Sequence, residues 1–308
     1  MEKFLVQGKR KLSGDFLPVG NKNEALPILA AILLSDQEIV LENLPDIGDV
    51  RVMQELLLRL GVSIHILEDR KVAFQAKNIH SALPDFELSQ KIRGSFLLVA
   101  PLLHRFQKVQ MPSPGGDFIG RRRLDTHFLA LEKMGVEIEA YHNCYTFSCK
   151  KFNPADIFLD EASVMATETA IMAAGVTKGT TTIYNAACEP HVQGLCNMLN
   201  AMGANIQGIG SNHLIIEGQS ALKGTNYRLQ MDHIEIGSII GMAAVTKSEI
   251  RIQESAQTNL GLIPTFFSRL GVEFKKENKD LIIPADQEMQ IKTDNRLQIP
   301  KIDDAPAV

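Results

Sequence analysis

Residues 60–67 read LGVSIHIL: a leucine that closes an amphipathic run, a glycine, and then β-branched residues alternating with polar ones. Glycine just past a helix is the usual left-handed C-terminal cap, and period-two alternation after it predicts a strand. The signature returns at Met134-Gly135, Met202-Gly203 and Leu270-Gly271, so that the glycines are spaced by 74, 68 and 68 residues. Each is followed by a strand-like run (VSIHIL, VEIEAY, ANIQGI, VEFKK) and, after a polar turn, by a second (VAFQA, YTFSC, HLIIEG, DLIIPA).

Upstream of each amphipathic run, a nearly all-apolar helical segment leads into another strand: NEALPILAAILL then EIVLENL, SFLLVAPLL then KVQMPSP, SVMATETAIMAAGV then TTTIYNA, IGSIIGMAAV then EIRIQES. The unit is therefore helix, strand, helix, strand, strand, repeated four times. A helix that is apolar on every side belongs in a core. The expected architecture is an α/β barrel turned inside out, with helices inside and sheets around them, the reverse of the common barrel with external helices. Residues 77–88, 150–161 and 219–230 connect successive units. The polar C-terminal stretch after Ala285 resembles a further connector, and the run KFLVQGK near the N-terminus reads as a strand that precedes the first unit. The division expected is 20–229 as a barrel of three repeats, and 1–19 with 230–308 as a partial second barrel whose open apolar helix surface favours self-association.

With 308 residues, 45% hydrophobic content and a net charge of −4, the chain can bury a sizeable core and lacks the basic surface that nucleic acid or an anionic membrane demands. No apolar run is long enough to span a bilayer, and the charged N-terminus does not read as a signal peptide. Cys144, Cys149, Cys188 and Cys196 contain no C-x-x-C pair and are expected to be reduced core thiols, Cys144 and Cys149 on opposite faces of a hairpin. A cytoplasmic protein without metal or cofactor is expected.

One local cluster breaks the acidic balance. Residues 112–127, PSPGGDFIGRRRLDTH, place two glycines, a lone Asp117 and three consecutive arginines in one loop. Adjacent guanidinium groups repel one another unless an anion lies between them, and paired glycines allow close backbone approach, so the loop reads as a site for a small anion. In LPVGNKNEALP, residues 17–27, Asn23 reads as a helix N-cap with Pro27 in the first turn. Lys22 then stands at a helix N-terminus, where free N–H groups also favour an anion. His127 reads as a helix residue facing water. Glu189, Asp232 and Glu235 are candidate site acids, although acids also stabilise a first helical turn for purely local reasons.

In combination, GNKNEALP, PGGDFIGRRRLDTH, SVMATET, NAACEP and DHIEIG, in that order along the whole chain, resemble the enolpyruvyl transferases, and within them the branch that acts on UDP-N-acetylglucosamine. The resemblance implies two inside-out barrels of three units each, with the active site between them. It implies transfer of the enolpyruvyl group of phosphoenolpyruvate to the sugar 3′-hydroxyl, with release of phosphate, in peptidoglycan synthesis. Carried onto matching positions, Lys22 and Asn23 contact phosphoenolpyruvate and the UDP-sugar, and Arg93 in QKIRGSF helps hold the substrates. Arg122 contacts the phosphate of phosphoenolpyruvate, and Arg122, Arg123, Leu124, Asp125 and Thr126 touch the nucleotide, as do Ala162, Ser163 and Val164. Asp117 stands where the family places its proton donor.

Two departures are visible. Most members carry Cys at the position of Asp117 and a minority carry Asp, which implies insensitivity to fosfomycin, the epoxide that alkylates the loop cysteine. Met165 replaces a usual Gly. The family's catalytic Asp for the sugar hydroxyl and a late Arg have no counterpart in these residues; Asp303 and Asp304 precede the motif concerned, so little turnover is expected of this chain alone. Two other functions fit parts of the sequence: a catalytically inert binder of UDP-sugar, and the sister transferase acting on shikimate 3-phosphate, which SVMAT and GGDFIG disfavour.

Overall fold

In the computed structural model all four repeat glycines end their helices with positive φ, at 107°, 89°, 108° and 77° for Gly61, Gly135, Gly203 and Gly271. The structure describes residues 3–8, 10–116, 123–293 and 295–299. These form two compact units, one of Gly20–Gln230 and one of Met1–Val19 with Met231–Val308.

In the Gly20–Gln230 unit the first repeat is α1 (Lys22–Ala31), β2 (Glu38–Glu42), α2 (Gly48–Leu60), β3 (Ser63–Glu68) and β4 (Lys71–Gln75); β1 (Ser13–Phe16) belongs to the other unit. A short α3 (Phe86–Ser89) and a 3-10 turn (Arg93–Leu98) lead into α4 (Val99–Phe106), β5 (Lys108–Pro112), α5 (Asp125–Lys133), β6 (Glu137–Tyr141) and β7 (Cys144–Ser148). Then come β8 (Asp156–Phe158), α6 (Val164–Gly175), β9 (Gly179–Tyr184), α7 (Pro190–Ala201), β10 (Asn205–Gln207), β11 (His213–Gly218) and β12 (Asn226–Arg228).

Each repeat makes one sheet, with the first strand paired antiparallel to the last and the middle strand at the edge: β2-β4-β3, β5-β7-β6 and β9-β11-β10. Two connectors add parallel strands that periodicity did not reveal because they are three residues long. β8 joins β9, and β12 returns to β2 of the first repeat, Tyr227 opposite Leu41. The first connector forms α3 instead.

The three apolar helices lie inside these sheets. Glu24 to Ala31 of α1, Gly94 to Leu103 of the second repeat and Ala166 to Gly175 of α6 are buried without interruption. Complete burial of each Leu or Ile contributes roughly 1.5–3 kcal/mol, and one continuous apolar core joins all three repeats.

The other unit holds α8 (His233–Thr246), β13 (Glu249–Ile252), α9 (Ile263–Arg269), β14 (Lys275–Glu277) and β15 (Asp280–Ile283), in a sheet ordered β1-β13-β15-β14. Its added parallel strand is β1, with Ser13 opposite Glu249. The expected strand at KFLVQGK is thus displaced: residues 3–8 are exposed and irregular, and the pairing strand is Ser13–Phe16, whose main chain matches a partner although only Phe16 among its residues is apolar. Helix α8 also departs from expectation. It buries a single stripe, His233, Ile236, Ile240, Ala243 and Ala244, while Ile234, Met242 and Val245 are exposed, because among the described residues of this unit α9 and the one sheet cover only part of its circumference.

Candidate active site

The N-terminus of α1 is built differently from the sequence expectation. Asn21, not Asn23, is the N-cap: its side chain accepts from Glu24 N at 3.1 Å, so Lys22 and Asn23 are the first two helical residues. Pro27 accordingly lies inside the helix, where it cannot donate to the Asn23 carbonyl. Lys22 Nζ lies 3.3 Å from Asp49 Oδ2 at the start of α2, a half-exposed pair. Asp49 escaped notice in the sequence because an acid in a first helical turn reads as dipole compensation.

A second cluster gathers at the N-terminus of α6. Arg93, Arg123, His127, Glu161, Ser163, Val164 and Met165 line a cavity of about 350 Å³. Arg93 opens the 3-10 turn and donates through Nη2 to the Arg123 carbonyl at 2.9 Å; Arg123 pairs with Asp125. Gly115 and Gly116 do not face open space. A side chain on Gly115 would strike the Gln90 carbonyl, and Gly116, at φ 94°, packs against the Arg93 main chain, so the glycine pair allows the chain at 115–116 to approach Gln90 and Arg93 closely. Asp117 and Arg122 lie outside the described residues.

Ser163 occupies the N-cap of α6, and its carbonyl accepts from Thr167 N and Oγ1. Leu124 caps α5, and Thr126 Oγ1 donates to Asp160 Oδ1 at 2.7 Å, tying α5 to the strand end before α6. Ala162 is exposed and does not line the cavity. His127 does, but it does not face water: it is buried, edge-on to Phe96 at 4.8 Å between ring centroids. The Thr169 hydroxyl donates to the Met165 carbonyl, so at 3.0 Å it must accept from His127 Nδ1–H. Burial, with the nearby Arg93 charge, lowers the imidazole pKa to about 3 and keeps the ring neutral.

The remaining candidate acids divide. Asp232 is the N-cap of α8, accepting from Ile234 N and Glu235 N, and Glu235 Oε2 accepts from Val19 N at 2.9 Å; both have local structural work. Glu189 sits at the N-cap position of α7, where its carbonyl accepts from Val192 N and Gln193 N but its side chain makes no cap bond. Its Oε2 and Glu168 Oε1 are buried without hydrogen-bond partners, and burial raises both carboxyls, Glu168 further because Glu189 is near. The four cysteines are free thiols; Cys149 and Cys196 are buried as expected, whereas Cys144 and Cys188 are half-buried. Among the described residues no helix is long and apolar enough to cross a membrane.

Buried central helices and enclosing sheets are the fold of solved enolpyruvyl transferases. The enolpyruvyl transferase NikO from Streptomyces tendae matches with a TM-score of 0.79 at 23% identity, over 90% of this chain and 66% of that one. EPSP synthase from Acinetobacter baumannii matches with a TM-score of 0.71 at 17% identity, over 90% of this chain and 65% of that one, and these likenesses speak to the fold. The chain belongs to the EPSP synthase (3-phosphoshikimate 1-carboxyvinyltransferase) family, whose model matches residues 6–305. Among curated relatives, the UDP-N-acetylglucosamine 1-carboxyvinyltransferase of Treponema denticola is 46% identical over 99% of this chain and 72% of its own length. That of Bradyrhizobium diazoefficiens is 46% identical over 98% of this chain and 70% of its own.

Proposed function

We propose that the chain transfers the enolpyruvyl group of phosphoenolpyruvate to the 3′-hydroxyl of UDP-N-acetylglucosamine, the first committed step of peptidoglycan synthesis. The observation that carries this is the cavity where Arg93 and Arg123 flank the N-terminus of α6, a place suited to an anionic ligand. The relatives' names select the sugar nucleotide over shikimate 3-phosphate. Arg93, Arg123, Leu124, Asp125, Thr126, Ser163 and Val164 then hold the nucleotide, with Ala162 beside them, and Lys22, Asn23 and Arg122 take phosphoenolpyruvate.

Asp117 gives its proton to C3 of phosphoenolpyruvate while the sugar oxygen bonds to C2 and its hydroxyl proton passes to solvent. C3 then returns a proton to the Asp117 carboxylate as the C2–O bond breaks and inorganic phosphate leaves. The neutral His127 contributes shape and no charge to the cavity. Asp232 and Glu235 serve α8, and Glu189 remains a candidate acid.

The Gly20–Gln230 unit is read as a three-repeat barrel and the other unit as a partial one, whose exposed Ile234, Met242 and Val245 support association between chains. Free thiols suit a cytoplasmic setting. Calorimetry with UDP-N-acetylglucosamine, followed by phosphate release from phosphoenolpyruvate, tests the reaction. Binding with turnover supports it, binding without turnover supports the inert binder, and turnover with shikimate 3-phosphate alone overturns it.

A further inference from the structure

Glu24 is fully buried on the first turn of α1, immediately after Lys22 and Asn23. In an ordinary capping box the third helical residue reaches back to the amide of its own N-cap. Here Gln230 is inserted between them: Asn21 N donates to the Gln230 carbonyl at 2.9 Å, and Gln230 N donates to Glu24 Oε2 at 2.8 Å. The other carboxyl oxygen, Oε1, faces the Tyr227 hydroxyl at 2.9 Å, and that hydroxyl lies 3.1 Å from the Gly194 carbonyl. Position 194 has to be glycine, because a Cβ there would overlap Glu24 Oε1. The pocket is shaped around this carboxyl.

Proton counting fixes its state. The Tyr227 hydroxyl has one hydrogen and two oxygens within reach. If Glu24 is ionised, only one of those contacts is a hydrogen bond. If Glu24 is protonated, Oε1–H donates to the Tyr227 oxygen and Tyr227 donates to Gly194, while Oε2 still accepts from Gln230, so the neutral acid makes one more bond in the same geometry. Burial acts in the same direction, raising the pKa to about 7 against the smaller lowering by Gln230 N and Tyr227. The titratable groups around it are Tyr227 on β12 and Cys196 on α7, both pushed up by burial and neutral. Beyond Cys196 lies Glu168 on α6, also raised. The nearest charges on α1 and α2 are Lys22 and Asp49, paired with each other, and Arg93 opens the 3-10 turn packed on α1.

We propose that protonated Glu24 is a positioning residue for the substrate site: it clasps Gln230 and Tyr227 so that Lys22 and Asn23 are presented from a fixed first turn, and its ionisation loosens the clasp. This rests on the proposed function, since Lys22 and Asn23 matter only if they meet substrate.

The test is calorimetry of UDP-N-acetylglucosamine binding at about pH 6 and about pH 8.5, either side of the ionisation range, with wild type, Glu24→Gln and Glu24→Ala, alongside the infrared difference between wild type and Glu24→Gln. A glutamine amide reproduces the neutral acid, accepting from Gln230 and donating to Tyr227. Wild-type affinity is expected to fall roughly tenfold at the higher pH, Glu24→Gln to bind tightly at both, and Glu24→Ala weakly at both. The infrared difference should contain a protonated-carboxyl band that disappears at the higher pH. A Glu24→Gln affinity that falls in parallel with wild type, or a missing carboxyl band with binding intact, overturns the clasp. Absence of binding by wild type at either pH, with the band present, overturns the functional reading instead.

Discussion

At the scale of single residues, the chemistry turns on which carboxyls hold their protons. Glu24 has a folded pKa of about 7 against an ordinary 4.5, so its neutral form is the one the fold favours. Its contribution is fully present below pH 4.5 and is lost as pH rises through the folded value, by about 3 kcal/mol in all. Urea midpoints measured from acid to neutral pH should show that slope in wild type and a shallower one in Glu24→Gln, whose side chain cannot ionise. Asp117 carries a separate expectation. A carboxylate is a weaker nucleophile than a thiolate, so fosfomycin with UDP-N-acetylglucosamine should leave wild type unmodified by mass spectrometry, and Asp117→Cys should gain one covalent adduct. An adduct on wild type would reassign the loop. The arginine run made Arg123 a candidate directly, whereas Arg93 and Ser163 came only through the family resemblance. Glu24, Glu161 and Asp49 were not singled out and His127 was read as facing water, since an acid or histidine near a helix looks the same in sequence whether it meets water or a cavity.

At the scale of helices and strands, the repeat glycines are alike in φ and unlike in surroundings. An added Cβ at Gly203 meets nothing within 4 Å, whereas at Gly61 it would lie 2.5 Å from the Asn78 carbonyl and 2.6 Å from His80 Nδ1. Gly203→Ala should therefore cost only the left-handed strain, about 1–2 kcal/mol, and Gly61→Ala distinctly more, in paired thermal or urea unfolding. Equal losses would mean that the connector after β4 yields freely. The elements with strong local signals, the apolar helices and the hairpins after each glycine, were legible from periodicity. The short parallel strands β1, β8 and β12 were not, because three or four residues are too few to show a period and become a strand only when a partner's main chain is already in place. For the same reason the capping residue of α1 was misassigned by two positions: GNKN offers two asparagines, and the choice is made by Gln230, far away in sequence.

At the scale of the molecule, the Gly20–Gln230 unit has its own core and closes its sheets through β12, so it should survive excision. A fragment of residues 20–230 is expected to unfold cooperatively in urea by circular dichroism; a gradual, non-cooperative loss would show that it depends on the rest of the chain. The bond from Asn21 N to the Gln230 carbonyl has a kinetic meaning as well. It places the two ends of an inserted domain side by side. Bringing β1 to β13 across roughly 230 disordered residues would cost about 5 kcal/mol of loop-closure entropy, but a folded insert has already met most of that cost. A ribosome releases β1 more than two hundred residues before β13. That strand therefore goes unpaired while the domain between them is made, and it waits on that domain to find its partner.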